Sequence, residues 1–453
     1  MKEILANQRA FFDSGKTRSL EFRKDALQRL KHAIRRLRAE IAQALHADLK
    51  KSEAETFLGE TSFAIEEINH SLSHLRSWMK VKRVGTPIVS WFGSSHIYSE
   101  PMGVVLIIAP WNYPFQLAVG PLVGAIAAGN CAIVKPSELA PNTSKMLAKL
   151  VGETFDPNYI EVVEGGVEVS EALLAEKLDH IFFTGSTAVG KHIMAAAARH
   201  LTPVTLELGG KSPDIVDNTA DLNVAARRIV WGKFFNAGQT CVAPDYVLAP
   251  NGLKAELVAG FRKSLSEFFG DNPVNSPDYA RIINQRHFMR LAALIDRSRV
   301  AIGGEVSEAG LYISPTVLVD VPHDHVSMEN EIFGPILPVI GYEQISEAMN
   351  FVKARPKPLA LYLFSGDRAQ CDETLARLSF GGGCINDTLV HLANPRLPFG
   401  GVGESGMGAY HGKYSFDTFS HRKGIVKRSA WFDPRLRYPP YKNRLGIFKR
   451  LLG

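Results

Sequence analysis

Between residues 103 and 208, four short apolar runs alternate with helical segments, and no other feature constrains the fold as much. The runs are 104–109 (VVLIIA), 131–134, 160–163 and 181–183. The helical segments between and after them are 115–128, 143–155, 169–176 and 189–199. Strands that are apolar on both faces belong to a parallel sheet covered by helices on both sides. Such sheets bind ligands beyond the C-terminal ends of their strands. Those ends read Ala109-Pro110-Trp111-Asn112, Lys135-Pro136-Ser137-Glu138, Glu164-Gly165-Gly166 and Thr184-Gly185-Ser186, so polar residues and glycines stand where a site is expected. A second α/β region follows Glu207-Leu208-Gly209-Gly210 and runs to about residue 390.

The flanks read differently. Phe22, Leu27, Leu30, Ile34, Leu37, Ile41 and Leu45 recur at helical spacing, which predicts one amphipathic helix over 18–50 with a basic outer face. A second helical pattern covers 54–79. Residues 84–100 are short, aromatic and rich in Gly and Ser, as in a hairpin or arm. The last 60 residues show little periodicity. The 453-residue length fits two to four domains. Residues 117–134 hold Asn130 as the only strongly polar residue, but Gly120, Pro121, Gly124 and Gly129 interrupt them. The reading is a buried helix ending at Gly129, a turn at Asn130 and a buried strand, not a membrane span.

The formal charge of +6 invites a nucleic-acid or membrane partner. Its distribution argues otherwise. Residues 421–453 carry ten Lys/Arg against one Asp, and Lys16 to Arg38 carries nine basic against two acidic residues. The excess is regional, as on a helix face or an interface tail. The four cysteines, Cys131, Cys241, Cys371 and Cys384, are scattered without C-x-x-C spacing. That usage fits a reducing compartment. The opening MKEILANQRAFFDSG lacks the apolar core of a signal peptide, so a cytoplasmic location is expected.

Several motifs carry chemistry. Gly185-Ser-Thr-Ala-Val-Gly190-Lys191-His192 follows an apolar run and opens a helix. It nearly matches a phosphate loop, but His192 stands where a hydroxyl would hold magnesium. A helix N-terminus still favours a dinucleotide phosphate. Gly401-Val-Gly403-Glu-Ser-Gly406 matches G-x-G-x-x-G but lacks the strand before and the helix after, so it reads as a false positive. Cys241 follows Gly238-Gln239-Thr240, a polar, turn-forming lead that sets it apart from the other three thiols. A free thiol of pKa ~8.5 needs activation to work as a nucleophile. Glu207, flanked by leucines at a strand end, is expected to be desolvated and raised toward a general base's range; its alternative is a pair with Lys211. His323-Asp324-His325 lies in a Pro- and Asp-rich loop without a third ligand, and no metal site is expected.

Together these pieces resemble the NAD(P)-dependent aldehyde dehydrogenase superfamily. The resemblance rests on Leu206-Glu-Leu-Gly-Gly-Lys-Ser-Pro213, on Phe234-Phe-Asn-Ala-Gly-Gln-Thr-Cys241, and on Pro110-Trp-Asn-Tyr-Pro114. Further matches are Lys135-Pro-Ser-Glu138, Phe183-Thr-Gly-Ser186, Glu331-Ile-Phe-Gly-Pro335 and Leu397-Pro-Phe-Gly-Gly401. They lie in family order over about residues 100–425. The run Ser405 to Asp417, Cys241-Val-Ala-Pro-Asp-Tyr246 and Arg437-Tyr-Pro-Pro-Tyr441 look like the class 3 branch.

The resemblance implies a fold with three parts. These are a Rossmann-like parallel-sheet NAD(P)-binding domain (1–80 and 101–206), an α/β catalytic domain (207–394), and a small β oligomerisation arm with the C-terminal tail (81–100 and 395–453). It implies a homodimer that oxidises medium- to long-chain aliphatic or aromatic aldehydes. Some members carry a hydrophobic C-terminal anchor, and none is expected from Arg450-Leu-Leu-Gly453. By the same matching, Cys241 is the nucleophile, Glu207 activates water, and Asn112 with the Cys241 N–H stabilises an oxyanion. Gly185, Ser186, Thr187, Ala188, Val189 and Gly190 border the cofactor, as does Trp111. Lys135 and Glu138 sit at the adenosine ribose, Glu331 and Phe333 at the nicotinamide ribose, and Phe399 by the ring. Glu138 favours NAD; Lys135 tolerates NADP. Other acceptors and classes follow less well: coenzyme A in place of water, a nucleoside triphosphatase at Gly185–Lys191, or a non-catalytic scaffold. Nucleic acid is not an expected partner. Weak contact of the basic tail with an anionic membrane is a subsidiary expectation.

Overall fold

The computed structural model describes residues 1–87, 90, 92–431, 433 and 435–452. The chain divides into two compact units. One comprises 1–78 and 101–420; the other comprises 79–100 and 421–453.

The larger unit holds two mostly parallel sheets. In the first, five parallel strands stand in the order Val204–Glu207, His180–Thr184, Val104–Ile108, Cys131–Lys135, Ile160–Val162. Every residue of the three central strands is buried, including the polar Lys135, His180 and Thr184 at the strand ends. The helices Gln116–Ala128, Pro141–Thr154, Val167–Leu174 and Thr187–Ala198 lie between them in sequence, within a residue or two of the expected segments. The first is buried throughout and ends at Gly129, whose φ of 91° needs no Cβ. Asn130 then fixes the turn: its Oδ1 accepts from Gly103 N–H and its Nδ2 donates to Phe419 O. No helix among the described residues is long and apolar enough to cross a membrane.

The second sheet has seven strands, ordered Val300–Ile302, Thr316–Val319, Ile336–Tyr342, Tyr246–Pro250, Pro213–Val216, Ala360–Phe364, Gly382–Ile385. Only Val300–Ile302 runs antiparallel to its neighbour.

The N-terminal helices depart from the expected two. Ser19 caps Leu20–Arg36, accepting from Phe22 N–H, and a break at Leu37 separates it from Arg38–Leu49. The apolar stripe runs through the break, so periodicity alone reads it as one helix. The outer face is not uniformly basic: Arg23 is buried and donates to Thr17 O and Ala127 O. The second pattern is likewise split into Glu53–Thr56, a π turn Phe57–Thr61, and Ser62–Trp78.

In the smaller unit, Lys82–Val84 pairs antiparallel with Gly93–Pro101, the hairpin expected for 84–100, and Ser420–Arg428 neighbours Gly93–Pro101. The tail, read as aperiodic, contains the helix Leu445–Leu452.

Candidate active site

The order of the first sheet locates the site. From Val104–Ile108 the chain builds outward in one direction to Cys131–Lys135 and Ile160–Val162, then returns to the other side with His180–Thr184. The crevice at that reversal, beyond the carboxyl ends of the strands, is where open α/β sheets bind ligands. A cavity of about 580 Å³ opens there. It is lined by Pro110–Asn112 from one strand end, Thr184–Ala188 from the other, Glu207–Lys211, Cys241, Glu331 and Phe333.

Residues 95 and 34 positions apart in sequence (Asn112 to Glu207, Glu207 to Cys241) thus share one pocket. The Asn112 side-chain amide donates to Gln239 O at 3.0 Å, two residues before Cys241. Tyr113 Oη lies 2.8 Å from Thr240 Oγ1. The turn into Cys241 is strained: Asn236 and Ala237 have φ of 52° and 50°, in the left-handed region. Gly238 continues the turn at φ 73°, and a Cβ there would meet Gly334 O at 2.3 Å. That glycine is therefore required twice over.

The electrostatics follow from burial. Glu207 is 1% exposed, and neither carboxylate oxygen has a hydrogen-bond partner. Burial first, and the nearby Glu331 charge second, push its carboxyl well above the ordinary carboxylate range. The Cys241 thiol is also pushed up, by burial and then by Glu207 and Glu331, against the pull of its own and Val242's N–H groups. Lys211 does not pair with Glu207. It pairs with Asp245 and donates to Ser327 O and Asn330 O, tying the strand-end loop to the segment that carries Glu331. Burial and the Asp245 charge raise Glu331 to about 8, opposed by the Gly210 N–H and by Lys211 and Lys233.

The residues expected at a cofactor fall into two groups. Trp111, Gly185, Ser186, Thr187, Ala188, Glu331 and Phe333 line the cavity. Trp111 is flanked by Phe333 and His287, with ring centroids 5.3 and 4.9 Å away. Lys135, Glu138, Val189, Gly190 and Phe399 do not line it. Lys135 and Glu138 form an ion pair at 2.7 Å past the end of Cys131–Lys135. Val189 is exposed in the first turn of Thr187–Ala198. Gly190 faces Leu208, where a Cβ would come within 2.6 Å, so it permits the helix to pack on the sheet. Phe399 is buried against His411 and Tyr410.

A dinucleotide fits what the cavity presents. The N-terminus of the 12-residue helix Thr187–Ala198 opens onto it, and Arg290 and Lys357 add positive charge. Gly209 offers a bare backbone surface beside the Glu331 carboxylate, where a Cβ would lie 2.0 Å from Oε2.

Sequence reading missed some of these groups. His287 and Arg290 come from the strongly amphipathic helix Gln285–Ala292, whose pattern signals a buried face but not what it faces. Lys51, Glu55 and Glu60, described below, look like ordinary surface charges in sequence. The Gly401–Gly406 run, set aside as a nucleotide motif, adds the antiparallel strand Gly406–Met407 beside Glu207; Leu208 N–H donates to Ser405 O.

A profile described as the aldehyde dehydrogenase family matches residues 1–425. The chain is 50% identical over 445 residues to 4,4'-diaponeurosporen-aldehyde dehydrogenase of Staphylococcus aureus, covering 98% of this chain and 97% of that one. It is 48% identical to the dimeric NADP-preferring aldehyde dehydrogenase of Rattus norvegicus, covering 97% and 98%. The structure of Staphylococcus aureus AldH in a substrate-bound state superposes with a TM-score of 0.98 at 48% identity, covering 100% of this chain and 99% of that chain. The chain belongs to the aldehyde dehydrogenase family, whose members are NAD(P)-dependent oxidoreductases.

Proposed function

We propose that this enzyme oxidises a hydrophobic aldehyde, aliphatic of medium to long chain or aromatic, to the carboxylic acid through a thioester on Cys241. The observation that carries this reading is the shared cavity of Cys241, Glu207 and Asn112. Cys241 gives up its thiol proton to water, and the thiolate Sγ attacks the carbonyl carbon to give a thiohemiacetal. Its oxyanion takes hydrogen bonds from the Cys241 N–H and from the Asn112 amide, whose second N–H is free because one already holds Gln239 O. Losing one such donor typically costs about 10²–10³ in rate. Collapse of the oxyanion releases hydride and leaves the thioester. Glu207 then takes a proton from water, which attacks the acyl carbon and frees Cys241.

The dinucleotide, when bound, supplies the hydride acceptor. Gly185, Ser186, Thr187, Ala188, Val189 and Gly190 would hold its phosphates. Trp111, Glu331, Phe333 and Phe399 would hold its nicotinamide end, and Lys135 with Glu138 its adenosine ribose. NAD is favoured over NADP because the Lys135 charge is already matched by Glu138. Partial burial pulls the Glu138 carboxyl upward, but the Lys135 hydrogen bond, its own N–H and the Lys135 charge outweigh it and hold it below its ordinary value. Glu138 is thus a ready acceptor for a ribose 2′-OH. Glu138→Gln weakens that bond and frees Lys135 for a 2′-phosphate. The ratio of kcat/KM for NADP to that for NAD should rise about tenfold, the equivalent of one charge-assisted hydrogen bond. An unchanged ratio removes the assignment.

The preference for apolar aldehydes is supported by the aromatic surface beside Thr240. Tyr113 and Phe235 stack at 6.5 Å, Trp231 lies 5.7 Å from Phe235, and Gly59 packs on both Tyr113 and Phe235. A panel of aldehydes from two carbons upward, read as NADH or NADPH formation, tests the reading. Each buried methylene contributes about 0.8 kcal/mol, so kcat/KM should climb up to ~4-fold per carbon until the added carbons no longer reach apolar surface. A maximum at acetaldehyde, or turnover only with coenzyme A, overturns it. The homodimer and the cytoplasmic location belong to the same proposal. The dimeric rat relative supports the first, and four free cysteines support the second.

A further inference from the structure

Lys51 and Glu60 form an ion pair at 2.5 Å with both side chains fully buried. Removing two charges from water costs more than their attraction commonly returns, so such a pair is poor evidence for stability. Its remaining bonds show what it holds. Lys51 Nζ also donates to Asn112 O at 2.8 Å and sits 3.9 Å from the centre of the Tyr113 ring. Glu60 Oε2 accepts from the N–H groups of Phe115 and Gln116 at 3.2 and 2.8 Å. That carboxylate satisfies the open N-terminus of the helix Gln116–Ala128, which has no side-chain cap of its own.

The opposite loop is tied to the same short segment. Glu55 Oε1 accepts from Asn236 N–H, and Asn236 Nδ2 donates both to Asn112 O at 2.8 Å and to Gln239 O at 3.1 Å. The carbonyl of Asn112 therefore takes one bond from Lys51 and one from Asn236. Glu60 lies within the π turn Phe57–Thr61, a local irregularity of a kind that recurs at functional sites.

We propose that Lys51 and Glu60 are positioning residues of the active site. Their buried pair fixes the Asn112–Gln116 segment, which Asn236 in turn ties to the Cys241 loop, so that the free Asn112 N–H points where the oxyanion forms. This rests on the thioester reading above.

The test is a double variant, Lys51→Met with Glu60→Met, which removes both charges at similar volume and leaves neither unpaired. Thermal melting and NAD titration establish that it folds and binds cofactor. Stopped-flow measurement of the first hydride transfer at saturating aldehyde should then show a rate constant lowered about 10²-fold, the scale expected for a misplacement near 1 Å. The aldehyde dissociation constant, read from the concentration dependence of that same rate constant, should stay within about threefold, since binding is left in place. Turnover should also acquire a primary isotope effect with a 1-deuterio aldehyde. A purely structural pair predicts the reverse: the folded double variant transfers hydride at the wild-type rate, and that result overturns the proposal. Should the double variant fail to fold, Glu60→Gln keeps the side-chain volume and one acceptor. It should lose about tenfold in the same rate constant, and an unchanged rate also overturns the proposal. An enzyme with Lys51 and Glu60 intact whose first hydride transfer survives Cys241→Ala would instead overturn the reading on which this one rests, whatever the Lys51 and Glu60 variants did.

Discussion

Cys241→Ala should remove aldehyde-dependent NADH formation, a loss of about 10⁴-fold or more, with cofactor affinity unchanged. The size of the loss follows from the absence of a substitute. Cys131 is buried in the centre of the first sheet, and burial pushes its thiol up to about 12. Cys384 is pushed up to about 11, again by burial, and belongs to the edge strand Gly382–Ile385. Cys371 is on the helix Arg368–Arg377, and none of the three lines the cavity. Cofactor affinity should persist because Gly185, Ser186, Thr187, Glu331 and Phe333 come from other segments and do not depend on Cys241 for their positions. A fluorescence titration with NADH reads the affinity, and absorbance at the nicotinamide band reads turnover. Turnover within tenfold of wild type, at unchanged affinity, would show that Cys241 is not the nucleophile.

Much of the architecture around this thiol was legible in the sequence, and the reason is local. A strand buried on both faces is apolar through its centre, so the runs 104–108, 131–134 and 181–183 announce themselves residue by residue, while Lys135, His180 and Thr184 are buried only at the strand ends. The positive φ at Gly129 and Gly238 leaves the same local mark. What depends on distant partners left none. The break at Leu37 lies under a continuous apolar stripe, and the π turn at Phe57–Thr61 has the composition of a plain helix. Lys51 and Glu60 are nine residues apart with the look of solvated helix charges, yet both are buried because their partners are the N–H and C=O groups of a loop near Asn112. Convergence of Asn112, Glu207 and Cys241 likewise belongs to the strand order, which no spacing in the chain encodes.

Glu207→Gln separates the two halves of the reaction. Wild-type Glu207 is a carboxyl raised by burial and by Glu331, so below that raised pKa only a minor fraction is ionised. A general base acts in its ionised form. Thioester hydrolysis should therefore speed up with rising pH below that raised pKa and level off only above it, the opposite of what an acid catalyst would give. Glutamine keeps the shape and removes the base. Hydrolysis should fall about 10²–10⁴-fold, and its climb with pH should vanish. The first hydride transfer needs Cys241 as thiolate, its proton lost to water, the oxyanion donors and bound NAD, but no base acting on the hydrolytic water. It should survive as a burst of NADH equal to the number of active sites, followed by a slow steady state. Acid quenching during that steady state should trap an acyl adduct on Cys241, visible as the added mass of the acyl group. If the burst slows as much as the steady state and no adduct forms, Glu207 serves the thiol rather than the water. Its raised pKa would then set the pH dependence of the attack on the aldehyde, moving the base to the first half of the cycle.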